Sequence, residues 1–183
     1  DMMVTGDRKA IDWTKNELAK HFDLKLLGTM TEYIGVTARR DGRKMYLSQP
    51  DMFTKIIRYW EKDIDRVRAY DTPMTPHDTI KTTPDEVPKL SEEEISKYRS
   101  GVGSLLYLVK HSRPDLANSV RELAKVMSNP AKHHLEKELP RAIKYAFETK
   151  ELELKLDPGA ETGEDVILGV SDSTWASDVD DRR

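Results

Sequence analysis

Chemistry in this chain would have to come from carboxylates, imidazoles and hydroxyls, because its 183 residues include no cysteine. That absence removes disulfides, thiolate metal sites and cysteine nucleophiles, and it fits a reducing compartment. Asp172, Asp178, Asp180 and Asp181 are the carboxylates placed where they could matter. Asp172 directly follows the apolar run Val166-Ile167-Leu168-Gly169-Val170. A strand end there would hold its carboxylate rigidly, as a metal ligand must be held. Clustered carboxylates are the material of Mg²⁺ sites and equally of acidic turns, and composition leaves both open. His133 and His134 are adjacent. On a helix they point about 100° apart and cannot chelate one ion together, so they read as structural. The stand-alone signatures GxxxxGK, GxGxxG, HExxH and GxSxG do not occur, which leaves no phosphate loop, zinc-protease pair or nucleophile elbow to build on.

Composition narrows the class. Hydrophobic residues make up 37% of the chain and charged residues 34%, with net charge −3 and mean hydropathy −0.69. Those values predict a lean core, partly exposed helices, or a piece of something larger. No run approaches the ~18 apolar residues of a membrane span, so no membrane partner is expected. The opening Asp1-Met2-Met3-Val4-Thr5-Gly6-Asp7 lacks a signal-peptide layout and an initiator Met, which suggests a start within a longer protein. Residues 110 to 150 carry nine Lys and Arg against five Asp and Glu, a net +4, whereas residues 151 to 183 carry three against ten, a net −7. A basic stretch that also holds His111, His133 and His134 could follow a phosphate backbone or simply be a solvated helix face.

The elements that must position these groups follow from periodicity and turn chemistry. Residues 1 to 6 read as a short strand, and Asp7 as the N-cap of a helix over about 8 to 22. Tyr33 to Thr37 and Lys44 to Ser48 alternate around Asp41-Gly42, a hairpin signal. Pro50 opens a helix to about Trp60 whose aromatic stripe suits a core better than a stacking platform. Four of the nine prolines fall in residues 71 to 90, which reads as a linker. Ser91-Glu92-Glu93-Glu94 is a capping box for a helix whose middle, Val102 to Val109, should be buried. A further helix starts at Arg113-Pro114-Asp115 and closes at Ser128-Asn129-Pro130, and another covers 131 to 149. Pro140 should kink or break that last helix. Short strands are expected at Leu152 to Leu156 and Val166 to Val170, turning at Asp157-Pro158-Gly159.

The order of blocks is familiar. Tyr98 to Leu108 (YRSGVGSLLYL), Arg113 to Ala117 (RPDLA) and Met127 to Pro130 (MSNP) closely resemble the C-terminal half of copia-type retrotransposon reverse transcriptases. Tyr33 to Val36 (YIGV), Leu47 to Gln49 (LSQ), Thr72 to Met74 (TPM), Ser171 to Asp178 (SDSTWASD) and Asp181 to Arg183 (DRR) agree in the same order, across essentially the whole chain. Ser177, where Gly is usual, and Pro140, in a helix usually unbroken, depart from the pattern.

The resemblance implies an α+β chain in five parts: a partial palm with a primer-grip hairpin over 1 to 48, the start of a thumb over 49 to 70, the Pro-rich linker, thumb and connection helices over 91 to 150, and the opening of a ribonuclease H domain over 151 to 183. It implies RNA-directed DNA polymerisation with Mg²⁺ in the complete enzyme. Asp1 matches the last carboxylate of the Tyr-x-Asp-Asp turn, and Asp172 the first-strand carboxylate of ribonuclease H, so these are the catalytic and metal positions the resemblance offers. Most of the other carboxylates are absent from this sequence, so the chain alone is expected to be inactive. Tyr33, Gly35, Gln49, Arg99 and Arg113 become candidate nucleic-acid contacts, although Arg99 and Arg113 could instead pair with Asp115 or a helix end. The implied partners are an RNA template with its DNA primer, the RNA–DNA hybrid, dNTP in the complete enzyme and a second copy of the chain. The implied setting is intracellular, in cytoplasmic particles and the nucleus. Two other readings remain open: a non-catalytic nucleic-acid-binding or assembly module, and a degenerate relic.

Overall fold

The computed structural model of the chain describes residues 2–75, 80–81 and 90–159. They form α1 (Arg8–Ala19), β1 (Glu32–Tyr33), β2 (Val36–Asp41), β3 (Lys44–Ser48), α2 (Pro50–Ile64), α3 (Glu92–His111), α4 (Ala117–Lys125), α5 (Leu139–Glu148) and β4 (Leu154–Leu156). A 3₁₀ turn at Pro114–Leu116 leads into α4, and a π turn at His134–Glu138 leads into α5. The strands make one antiparallel sheet in the order β1-β2-β3-β4, so the chain is of the expected mixed α+β class.

Helix α3 starts where the capping box predicts: the Ser91 hydroxyl accepts from the Glu94 N–H, and the Glu94 carboxylate accepts from the Ser91 N–H at 2.8 Å. Those Ser91 donors hold the Glu94 carboxyl below its usual range. Glu92, Glu93 and Glu94 stand in the first turn and Lys110 and His111 in the last, each sign at the helix end whose dipole favours it. Pro50 fits the first turn of α2, where no intrahelical N–H bond is lost. The stripe Phe53, Ile56, Trp60 and Ile64 on α2 is buried against Tyr98, Val102, Leu105 and Leu108 of α3 and Leu139, Ile143 and Ala146 of α5, so it belongs to the core. Gly101 lies at the tightest point. A Cβ there would sit 2.6 Å from Trp60 Cζ2 and 2.9 Å from Leu139 Cδ2.

Several expectations change. Residues 2 to 6 form no strand, and they pair with no other described residue; a strand exists only through its ladder. Asp7 does cap α1, accepting from the Ala10 N–H at 2.9 Å, but the helix ends at Ala19 and buries no residue. The run Tyr33 to Thr37 is not one strand: Tyr33 pairs with Val36, and Ile34 (φ 49°) and Gly35 (φ 66°) form a two-residue turn with both central residues left-handed. The next turn, between paired Asp41 and Lys44, has Gly42 at φ 58° as its first central residue. Pro140 does interrupt its helix, through a π turn: the Leu139 N–H bonds back five residues to the His134 carbonyl, the wider register that absorbs a missing donor. Strand β4 pairs with β3, Leu154 opposite Leu47 and Leu156 opposite Met45. The expected strand Val166 to Val170 lies outside the described residues.

His134 is 1% exposed and its Nδ1 accepts from the Ala131 N–H at 2.9 Å. Burial first, then the neighbouring His133, lowers its pKa from 6.5 to about 4, partly opposed by the Lys81 backbone. The unfolded chain therefore takes up this proton first as the pH falls. Stability should be full above pH 6.5 and decline toward about pH 4. Urea unfolding followed across that range should show the slope, and His134→Asn, which keeps an acceptor at the Nδ1 place, should flatten it. In the same assay Gly101→Ala should cost about 1–3 kcal/mol by overpacking. Gly103→Ala, with no atom within 4 Å of the added Cβ, should be neutral or gain up to ~1 kcal/mol from helix propensity.

Candidate nucleic-acid interface

The Ile34-Gly35 turn is pinned to the helical body by a hydrogen bond, the Tyr107 hydroxyl donating to the Ile34 carbonyl. A β-branched residue at positive φ is a backbone outlier that its surroundings must hold in place. The Tyr107 bond does so here, and Gly35 packs over the same hydroxyl: its Cβ position would lie 3.6 Å away. Between this turn, the start of α2 and one face of α3 runs an open groove of about 510 Å³. Its α3 wall is Ser100, Gly103, Ser104 and Tyr107, spaced at i, i+3, i+4 and i+7 and so on one helix face. Glu32, Asp51, Met52 and Lys55 line the rest. Small residues on a helix let a polymer backbone approach closely, and the serine hydroxyls add hydrogen-bonding capacity. The signal for this wall in the sequence is the spacing of Ser100, Gly103, Ser104 and Tyr107 beside the apolar stripe of the same helix.

The candidate residues fare differently. Gly35 lines the groove, and Tyr33, half-buried, closes the turn beside it. Gln49 does not reach solvent: it is fully buried, and its Oε1 accepts from the Ser112 hydroxyl at 2.7 Å. It joins the start of α2 to the C-cap of α3, which corrects its expected place at the primer end. Arg113 is also corrected. At 1% exposure it directs Nε and Nη2 at the two Asp115 oxygens, Nη1 at the Ala146 and Thr149 carbonyls, and Nη2 also at the Thr149 hydroxyl. No donor remains for a phosphate. Burial raises the Asp115 carboxyl, but the Arg113 hydrogen bonds and charge outweigh it and hold the group below its usual range. Arg99 is exposed and bonds the Met127 carbonyl at 2.9 Å and the Ser128 carbonyl at 3.5 Å, beyond the end of α4. Both arginines thus take the helix-end and Asp115 partners named as their alternatives. Asp1, Asp172, Asp178, Asp180 and Asp181 lie outside the described residues. Among the described residues no three His, Asp or Glu side chains gather as a metal site, and no helix is long and apolar enough to cross a membrane.

Part of the basic stretch is committed to partners within the chain. Lys144 donates to the Ile64 and Val67 carbonyls at the end of α2, and Arg141 to Thr72 and Thr75 while stacking 3.9 Å from the Tyr70 ring. Arg121 pairs with the buried Glu122, and Lys132 with Glu136.

Comparison with known proteins shows the chain to be a homologue of the retrovirus-related Pol polyproteins of plant copia-type transposons. It is 30% identical over its whole length to the retrovirus-related Pol polyprotein from transposon TNT 1-94 of Nicotiana tabacum. Against the corresponding polyproteins from transposons RE1 and RE2 of Arabidopsis thaliana it is 28% identical over 99% of its length. It spans 14% of the first of these relatives and 12% of each of the others. No protein-family model matches the chain, and no solved structure matches it.

The two arginines make a test. Arg113→Lys keeps the charge but loses the planar fork, and should destabilise the fold by about 2 kcal/mol or more. Arg99→Lys, at the surface, should cost well under about 1 kcal/mol. Chemical denaturation of both variants checks this, and equal effects would show that the buried network contributes no more than the exposed one.

Proposed function

We propose that this chain is the template-primer-handling part of a reverse transcriptase, contacting an RNA–DNA hybrid along the groove between the Ile34-Gly35 turn and the small-residue face of α3. The observation that carries this is the groove itself: a hairpin turn and a helix face drawn from two sequence blocks of the resemblance line one channel, Gly35 from one side and Ser100, Gly103 and Ser104 from the other. Whole-length similarity to transposon Pol polyproteins supports it. A hybrid presents phosphates and 2′-hydroxyls to a shallow groove, and Lys55, Ser100 and Ser104 are suited to them. Polymerisation belongs to the complete enzyme, where Mg²⁺ would supply activation of the primer hydroxyl and Asp1 and Asp172 would be carboxylates of the two metal centres; dNTP is a substrate of that assembly. Cytoplasmic particles and the nucleus are the proposed setting.

A second reading, an assembly module, is favoured by one specific feature. The N-terminal segment leaves Met2, Trp13, Phe22, Leu26 and Leu27 exposed and α1 buries nothing, as a surface awaiting another segment or copy would.

Fluorescence anisotropy with a labelled RNA–DNA hybrid separates the two. Binding should weaken steeply with salt. Lys55→Glu and Gly103→Glu, both at exposed positions of the groove, should each weaken it about tenfold without lowering stability. Affinity indifferent to salt and to both substitutions would overturn the hybrid reading, and concentration-dependent self-association in its place would support assembly.

A further inference from the structure

Lys55 lines the groove from α2. Tyr59, Lys62 and Arg66 follow it at i+4, i+7 and i+11, the spacing of one helix face, and Arg58 stands beside them at i+3. Arg66 falls in the turn directly after the helix. All five residues are exposed, Tyr59 by 59%. None of the four cations makes an ion pair or a hydrogen bond with a described residue.

Other cations of this chain find a carboxylate one turn away, as Arg8 does with Asp12, Lys132 with Glu136 and Lys144 with Glu148. On α2 the carboxylates are present but set off the stripe. Asp51 stands in the first turn, where the helix dipole favours it, and Asp65 at the C-cap. Glu61 lies about 120° round the helix from Lys55. Lys55, Arg58 and Lys62 are like charges at i, i+3 and i, i+4 spacing, an arrangement that repels when the face is bare and that a polyanion along it reverses.

The stripe therefore complements a phosphate backbone, and Tyr59 says what form of it. Bases in a duplex are stacked on one another, so an exposed ring among cations fits an unpaired strand, whose bases offer a free face. The stripe is continuous with the groove through Lys55. From Lys55 to Lys62 the helix rises about 10 Å, the length of about three nucleotides at 3.4 Å each.

We propose that a single strand leaving the hybrid runs from the groove along this face of α2, its phosphates against Arg58, Lys62 and Arg66 and one unpaired base stacked on Tyr59. The inference rests on the hybrid reading of the groove and adds a contact of different chemistry: the groove takes the paired part of the ligand and the stripe takes the unpaired part.

The test is fluorescence anisotropy of the full chain with a blunt RNA–DNA hybrid and with the same hybrid carrying an RNA overhang of about eight nucleotides at either end. The overhang should tighten binding at least about tenfold and steepen the dependence of log affinity on log salt by about 2, near 0.7 for each phosphate neutralised. Lys62→Gln combined with Arg66→Gln should remove most of that gain and about 1.4 of the added slope. Tyr59→Ala should weaken the overhanging hybrid about fivefold or more and leave the slope as it was. Neither change should move the affinity for the blunt hybrid by more than about twofold, whereas Gly103→Glu should weaken both ligands. The substituted positions are exposed, so these variants should fold.

An overhang that adds no affinity overturns the proposal. So does a gain that survives the Lys62 and Arg66 double substitution, or one that survives Tyr59→Ala. Equal weakening of blunt and overhanging hybrids by the double substitution marks diffuse attraction and overturns it as well. In each of these cases blunt-hybrid binding that still answers to Gly103→Glu leaves the groove reading standing. A blunt hybrid indifferent to Gly103→Glu is the separate failure, that of the groove reading, and takes the proposal with it.

Discussion

Helix α3 can approach Trp60 of α2 and Leu139 of α5 only because residue 101 has no side chain. That contact orders the helical body, since α2, α3 and α5 bury their apolar stripes around it and α4 completes the enclosure through Val120 and Leu123. It also sets which face of α3 is left outward. With Gly101, Leu105 and Leu108 turned to the core, the turn angle of the helix carries Ser100, Gly103, Ser104 and Tyr107 to the far side, where Tyr107 holds the hairpin turn by the Ile34 carbonyl. Groove and core are therefore two consequences of one helix orientation.

Electrostatics in the helical body serve the fold before any partner. Arg113, Lys144 and Arg141 donate to carbonyls or hydroxyls at loop and helix ends, where the chain leaves acceptors unsatisfied. The sheet is held in the same way at its outer strand: Arg39 reaches Glu153 at 2.6 Å, and Lys44 and Lys155 converge on Asp157, whose carboxyl is lowered to about 2 chiefly by the Lys155 hydrogen bond and then by the Gly159 N–H. All of these sheet pairs are exposed and modest individually. They nonetheless run across β2, β3 and the segment around β4, so residues 153 to 157 stay with the hairpin they follow by more than a hundred positions.

The π turn is the other economical device. Pro140 removes a donor, the wider register absorbs the loss, and the altered turn brings His134 and Glu138 to one cavity.

What the sequence by itself determined were the features decided by near neighbours along the chain. The Ser91–Glu94 capping box, the Asp7 cap, Pro50 at the start of α2, the buried stripe of α2 and the interruption at Pro140 each depend on residues within a turn or two, so periodicity and capping chemistry sufficed. The order of motif blocks was also legible, and it led to the copia-type relatives. Tertiary structure alone decided the rest. Arg113 and Gln49 look like polar residues free to bind, and only the approach of Thr149 and Ser112, 36 and 63 residues away, shows that the Arg113 donors and the Gln49 Oε1 are engaged inside the fold and that both side chains are buried. Residues 2 to 6 have strand composition, but a strand is a relation between two segments. Charge counts placed +4 on residues 110 to 150 without showing that carbonyl ends from α2 and α5 would claim much of it. The physical reason is common to all of these: hydrogen bonds and burial between distant segments have no periodic trace in the sequence.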